Sequence, residues 1–508
     1  MIKFKAGEDR SQQLLFPTTI NEYLPKGHLA KLIFTIVSTL NLDSIINKFD
    51  TKGQNAFCPH LLVSILFYGY SIGVKSSRKL SKACEERLDF MYLAARLTPG
   101  YKTISEFRRE NINEISKLFQ EIILIGMKLG LVEIGNIKVS IDGTKIRANA
   151  SGKLSKDEEG LKKLLEDVKL KADSLLNDAE SVDRQEDSQY VNKRGDELPK
   201  ELKKLESRKE KIKTAIDELN KEKEALRKSL TDQRIREGKS EKLTKAQEKK
   251  IKGKKINITD HDAQYMKERE GCIKTNYNAQ ASVDEKNQFI VACDVTTECN
   301  DKKQLIPMVD LTEQNIESKV NVCKADSGYH SGENLYEVSQ KELIALIDDP
   351  LKQRVNNDNF IFDKVNFIYD LKTDSYICPK GNRLDFVSMK NGKKTYKSIG
   401  CKECSGKSDC AKKSNYRKII RNEHEHLIEK NRTELLKDDN KKEYQKRMHT
   451  VEPVFGNIKY NTGFRQFSLR GLIKVKGEFS LMCIGHNLKK IAEYCKSKQL
   501  KLSDCLAH

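Results

Sequence analysis

A change of hydrophobic period at residues 137–151 constrains this chain more than any other feature. Ile137, Val139 and Ile141 alternate with Lys138, Ser140 and Asp142, the period of a half-buried strand. The pattern returns only at Tyr277–Asp284 and again at Phe289–Val295. A sheet begun near 137 and continued past 277 must therefore tolerate a long insertion after its first strand. Ahead of it the period is helical: Leu29–Val37, a segment after Pro59, and a third from about Ser77 to Leu97.

The insertion, residues 152–258, is highly charged. Leu198, Leu202, Leu205, Lys209, Ile212, Ile216, Leu219, Lys223, Leu226 and Leu230 follow alternating four- and three-residue steps, a coiled-coil seam with lysine at two core positions. Leu161, Leu164, Val168, Ala172 and Leu175 form a shorter stripe. The two stripes predict a helical hairpin joined by the polar stretch from Ser181 to Gly195; a single solvated helix is the alternative. The basic stretch from Lys242 to Lys255 suits either DNA or solvent.

Beyond the third strand, Gln304–Glu317 reads as helix, Val320–Asp326 as a strand ending in a carboxylate, Ser331–Lys341 as helix and Ile344–Ile347 as strand. Residues 350–430 read as irregular and basic. From Lys441 onward the chain reads as helical, with Leu481, Ile484, Leu488 and Ile491 as a core stripe. The partition is a helical part at 1–130, sheet segments at 131–151 and 259–349, the charged insertion at 152–258, a cysteine-bearing basic insertion at 350–440, and a helical part at 441–508.

The net charge of +20 favours a polyanionic partner, although a merely lysine-rich soluble protein has the same balance. No apolar run approaches the ~18 residues of a membrane span. Met1–Lys5 lacks the apolar core of a secretion signal, so the expected location is the cytosol. Thirteen cysteines, an odd number, argue against a closed disulfide framework and for reduced thiols. After Pro99-Gly100, Thr103 and Glu106 have capping-box spacing. The helix they predict exposes Arg108, Arg109 and Asn111, in the manner of a helix-turn-helix recognition helix or of a plain solvated face.

Three acidic positions suit phosphoryl transfer, which uses hard divalent ions held by carboxylates. Asp142 precedes Gly143-Thr144, Asp326 opens Asp326-Ser327-Gly328-Tyr329, and Glu452 lies among Tyr444, Arg447 and Lys459. Singly, each has a plain structural reading as a turn cap or a solvated helix residue. Together they resemble the DDE triad of bacterial insertion-sequence transposases, in the group with a Tyr-Arg-Glu-Lys signature. The resemblance implies an α/β (α+β overall) architecture with an RNase H-like mixed sheet, split by the coiled-coil and cysteine-bearing insertions and preceded by an all-helical DNA-binding domain. It implies Mg2+ (or Mn2+) on Asp142, Asp326 and Glu452, and phosphate contacts from Tyr444, Arg447 and Lys459. It also implies double-stranded DNA partners, namely terminal inverted repeats and target DNA, and a homodimer or larger synaptic complex in the bacterial cytosol. Two departures stand out. Four residues separate Arg447 from Glu452, where the signature usually has three, and Pro453 predicts that a helix starts or kinks there. The chain also has no tryptophan to receive a flipped base.

Asp260, Asp262, Asp284 and Asp294 compete for the metal roles and rank below the triad. His330 and His449 lie near the motifs and read equally well as surface residues. Cys378, Cys401, Cys404 and Cys410 make a set sufficient for a closed structural zinc site; four free thiols are the alternative.

Overall fold

The computed structural model describes residues 19–49, 56–133, 135–187, 200–236, 238–268, 271–341, 343–390, 392–398, 400–411 and 414–500. Leu198 and residues 188–195 of the connecting stretch lie outside these residues.

Seven helices come first: α1 (Leu29–Thr39), α2 (Asp43–Ile46), α3 (Pro59–Ile72), α4 (Ser77–Glu86), α5 (Leu88–Leu93), α6 (Tyr101–Glu110) and α7 (Ile112–Lys128). The single helix expected from Ser77 to Leu97 is two, because Arg87 is extended (φ −117°, ψ 127°). The expected cap at Thr103 is also corrected: α6 starts at Tyr101 with Gly100 as its N-cap. The exposed face expected for α6 is only partly there. Arg109 is exposed, but Arg108 and Asn111 are buried. Arg108 donates to the Tyr70 hydroxyl (3.0 Å) and the Lys75 carbonyl (2.9 Å), and Asn111 donates to the Phe107 carbonyl (3.0 Å). Tyr70 in turn donates to Glu478. Alanine at Arg108 should therefore cost about 1–3 kcal/mol of stability by stranding buried acceptors, with little change in DNA affinity once folding is matched; urea melts beside a DNA titration would check this.

The central sheet holds β1 (Lys138–Arg147), β4 (Gln264–Lys267), β5 (Ile273–Asp284), β6 (Ile290–Thr296), β7 (Val322–Ala325) and β8 (Ile344–Ile347), with β2 (Ser155–Lys156) and β3 (Ile256–Asn257) pairing apart. Its order runs β6-β5-β1-β7-β8, with β4 also on β5. β6, β5 and β1 are antiparallel neighbours, whereas β1, β7 and β8 run parallel. Parallel neighbours need crossovers. α11 (Leu305–Ile316) lies in the link from β6 to β7 and α12 (Gly332–Gln340) in the link from β7 to β8. The alternation at β1 predicts one solvated face, yet Ser140 and Asp142 are buried too.

Between β1 and β4 the chain makes α8 (Glu158–Asp187), α9 (Lys200–Arg236) and α10 (Lys245–Lys252). Leu161 and Val168 of α8 pack with Ile212, Ala215 and Leu219 of α9. The heptad stripe is thus covered by a helix of its own chain over these residues. The seam lysine Lys223 meets Glu158 at 2.8 Å. The β2–β3 pairing, Ser155 opposite Asn257, brings both ends of the insertion together.

Residues 350–430 are not irregular. β9 (Ile368–Asp370), β10 (Ser375–Ile377), β11 (Arg383–Lys390), β12 (Lys393–Ser398) and β13 (Lys418–Arg421) form an antiparallel sheet in the order β13-β12-β11-β10-β9. Its core is Phe367, Tyr376, Leu384, Tyr396 and Ile419. Three of those five are aromatic, and even the eight-residue β11 fully buries only Leu384, so the period-2 signal does not show. α13 (Lys407–Cys410) and α14 (Glu425–Leu436) follow, then α15 (Asp438–Gly456) and α16 (Leu472–Lys498).

The helical run expected from Lys441 is broken. α15 ends in a π-turn at Asn457–Asn461, and residues 462–471 are not helical. Here the chain runs beside the end of β1: the Arg147 amide donates to the Arg465 carbonyl (3.2 Å) and the Phe467 amide to the Arg147 carbonyl (2.9 Å). α16 then packs on α3, α7 and β6. One apolar core joins the N-terminal helices, the sheet and α16.

Candidate active site

The sheet register places the first two acids. Ile141 on β1 stands opposite Ala325 on β7 in a parallel pairing. Asp142 and Asp326, the next residue of each, therefore lie at the same level. α15 crosses above them, lying against β1, β5 and β7. Its first turn carries Asp438 and Asp439, which suit the positive end of a helix dipole.

The expected helix start at Pro453 is corrected, because Pro453 lies inside α15, which runs on to Gly456. Proline has no amide to give the carbonyl of His449, four residues back. The Gln288 side chain supplies the missing donor at 2.8 Å. Arg447 and Glu452 thus sit on one helix, and Arg447 is long enough to bridge the odd spacing. Its guanidinium is 3.0 Å from Asp142, 3.9 Å from Asp326 and 3.9 Å from Glu452. The Asp142 side chain is only 7% exposed and that of Glu452 51%, so the cluster opens to solvent on the Glu452 side.

One guanidinium does not neutralise three carboxylates. Burial pushes Asp142 up to about 6; Arg447 opposes the rise, while Asp326 and Asp301 add to it. The donor set fits a hard divalent ion, with carboxylate oxygens from the middle of β1, the end of β7 and a helix. Among the described residues, no three His, Cys, Asp or Glu side chains already stand in metal-holding geometry, so an ion would have to draw the carboxylates inward. Burial raises the Tyr444 hydroxyl, with Asp348, Asp326 and Asp142 adding to the rise, and the Lys352 ammonium lies 5.2 Å from its ring centre. Lys459, in the π-turn, donates to the Lys145 carbonyl at 2.9 Å. Arg108, Arg109 and Asn111 make none of their described contacts with this cluster.

The competing acids have other partners. Asp260 accepts from Tyr277 and from the Gly471 amide, and Asp262 from the Leu472 amide at the start of α16. Asp284 accepts from the amides of Lys286 and Asn287, and Asp294 pairs with Lys476. His330 is half-buried beside Asp349, in a separate cleft lined also by Arg432.

Sequence reasoning missed Asp301. It follows β6 in the loop before α11 and has no motif around it. Oδ1 accepts from Asn278 and Gln280 of β5, each at 2.7 Å. Gln280 also accepts from the buried Tyr329 hydroxyl. A Cβ on Gly143 would come within 2.3 Å of the Gln280 amide and 2.5 Å of Asp301. Glycine after Asp142 is therefore what admits Asp301 to the cluster. Alanine at 143 should displace both side chains, cost about 1–3 kcal/mol by overpacking, and lower any activity that uses Asp142; thermal melts and an activity assay on the same preparation would test it.

The four cysteines line one cavity of about 20 Å³, although, like the acids, they do not stand in metal-holding geometry. The Asn382 amide points at Cys378 Sγ (3.2 Å) and the Arg417 amide at Cys401 Sγ (3.4 Å). Burial raises the Cys410 thiol, against Arg417, and the thiols of Cys401, Cys378 and Cys404 add to the rise.

Two family comparisons give matches. Residues 377–492 match a family described as a transposase DDE domain, and residues 18–110 one described as a transposase domain (DUF772). The first span contains Tyr444, Arg447, Glu452, Lys459 and the four cysteines; Asp142 and Asp326 lie outside both. No curated protein and no solved structure matches the chain. A DDE domain implies an RNase H-like core, DNA binding and DNA transposition. Among the described residues, no helix is long and apolar enough to cross a membrane.

Proposed function

We propose that this chain is a DDE transposase of a bacterial insertion sequence, with Asp142, Asp326 and Glu452 as its metal-holding acids. The observation that carries the reading is the meeting of the three carboxylates around Arg447. Mg2+ or Mn2+ held there would polarise phosphoryl oxygens and activate water. Arg447, Tyr444 and Lys459 would hold phosphates beside the scissile bond, Arg447 by a forked contact and Lys459 as a point charge. The protein would bind the terminal inverted repeats of its element, hydrolyse the strand there and pass the freed 3′ hydroxyl to target DNA. Arg109 and the exposed lysines of the charged arm would add salt-sensitive grip. Pairing two ends requires a dimer at least. Because α8 covers the middle of the heptad stripe, that dimer would use another surface.

The test is excision of a marked element, flanked by the DNA that borders this gene, in cells expressing wild type or Asp326→Asn. Excision with wild type alone is expected. Excision with both removes Asp326 from the mechanism. Cleaved ends that never join a second DNA indicate a nuclease without strand transfer. Binding without cleavage indicates a DNA-binding protein with a decayed core.

We also infer a structural zinc ion on Cys378, Cys401, Cys404 and Cys410, supported by their shared cavity and by the two amides aimed at sulfur. The small sheet at 368–421 buries few apolar residues, so metal would supply folding free energy. Purified protein should carry about one zinc per chain, and Cys404→Ser should lose it and make the segment protease-sensitive. A metal-free chain with unchanged protease resistance counts against the ion.

A further inference from the structure

We propose that Asp301 is a fourth carboxylate of the metal site, ligating a divalent cation together with Asp326; this rests on the transposase reading above. The side chain is held as a metal ligand would be. Two side-chain amides, Asn278 and Gln280, converge on Oδ1 at 2.7 Å each, and Lys145 approaches the same oxygen at 3.9 Å. Oδ2 takes no hydrogen bond from the described residues. Fixing one oxygen and leaving the other free is how an outer shell aims a ligating carboxylate.

The free oxygen faces the second acid motif. A Cβ on Gly328 would lie 3.4 Å from Asp301 Oδ2 and 2.9 Å from Asp326 Oδ1, so both oxygens crowd one point kept open by glycine. On the other side, Gly143 gives Asp301 its approach to Asp142. The loop after β6 therefore inserts a carboxylate between the two aspartate motifs. Hard divalent ions take six or more oxygen ligands, and a fourth protein carboxylate would fill a place otherwise left to water.

The test reads metal, not turnover. Full-length protein without DNA is titrated with Mn2+, followed by paramagnetic resonance, for wild type, Asp301→Asn, Asp326→Asn and the remote control Asp217→Asn, an exposed residue of α9. Asparagine keeps an oxygen for the two amides and loses the anionic one. Asp301→Asn should weaken Mn2+ by about tenfold or more, as should Asp326→Asn, with Asp217→Asn unchanged. Wild-type affinity in Asp301→Asn, with loss in Asp326→Asn, overturns the assignment and leaves the transposase reading intact. No Mn2+ bound by wild type, or full affinity in Asp326→Asn, overturns both. If Asp301→Asn does not fold, wild type decides alone. Fe2+ with ascorbate and peroxide should cut the backbone beside 301 as well as beside 142 and 326; cuts at the latter two without one at 301 reject the proposal.

Discussion

Arg447→Ala should lower strand cleavage by about 10²–10³-fold, the usual loss when one charge-stabilising group is removed from a phosphoryl or acyl transfer site. It should also make the protein's stability depend more steeply on divalent metal. The guanidinium is the one cation in contact with all three acids, and Asp142 is almost wholly enclosed. Taking the cation away leaves a buried carboxylate unpaired, a change that costs about 3–5 kcal/mol, less whatever Asp142 recovers by taking up a proton. A divalent ion would replace the lost charge. Thermal melts with and without Mg2+ should show a larger metal-induced rise in Arg447→Ala than in wild type. Equal rises would mean that Arg447 and the metal do not share the acids. Arg447→Lys should recover much of the stability and little of the cleavage, because a point charge cannot fork.

Lys324→Met should destabilise the sheet. Lys324 lies on β7 two residues before Asp326 and is fully buried. Its ammonium is held by Glu285, just after β5, and by Glu443 of α15 at 2.8 Å. Glu443 also meets Lys446 at 2.6 Å and Lys138 of β1 at 3.7 Å. This network binds the strands of both aspartates to the helix of Arg447 and Glu452. Losing its central cation leaves less opposing charge on Glu285 and Glu443, which keep Lys446 at 3.1 and 2.6 Å, at a cost of about 1–3 kcal/mol. Lys324→Met/Glu443→Gln should recover part of that, and a double-mutant cycle in urea would measure the coupling.

The same network predicts acid lability. Burial alone would raise Glu443, but hydrogen bonds from Lys324 and Lys446 outweigh it and hold the group at about 2, against an ordinary 4.5. A depressed carboxylate stabilises the fold fully above its ordinary value and loses that contribution as pH falls toward the depressed one. The wild type should therefore weaken between pH 4.5 and 2, and Glu443→Gln should show a shallower fall. Parallel acid titrations of the two would sink the idea.

Local sequence patterns determined a good part of this protein. Alternation at Ile137–Ile141 marks β1, helical spacing marks α1 and α3, and short apolar runs mark β5 to β8 along the chain, though not β4 nor the order of strands in the sheet. Asp142, Asp326 and Glu452 stood out only as a set that resembles a known triad, since each alone reads as a turn cap or a solvated helix residue. The tertiary structure alone decided what depends on distant partners. Arg108 and Asn111 have the composition of an exposed face, yet α3 and the Lys48 side chain enclose them. The strands at 368–421 bury too few positions each, and their core is too aromatic, for periodicity to register. The heptad stripe specifies an apolar seam but not whose helix covers it. Arg447 reaches Glu452 because a glutamine from the β5–β6 turn satisfies the carbonyl that Pro453 leaves open. Asp301 has no local signature at all, since two amides on β5 and two glycines on other segments give it its place. Short-range periodicity is written in neighbouring residues, whereas burial, charge pairing and close approach are set by chain segments that only folding brings together.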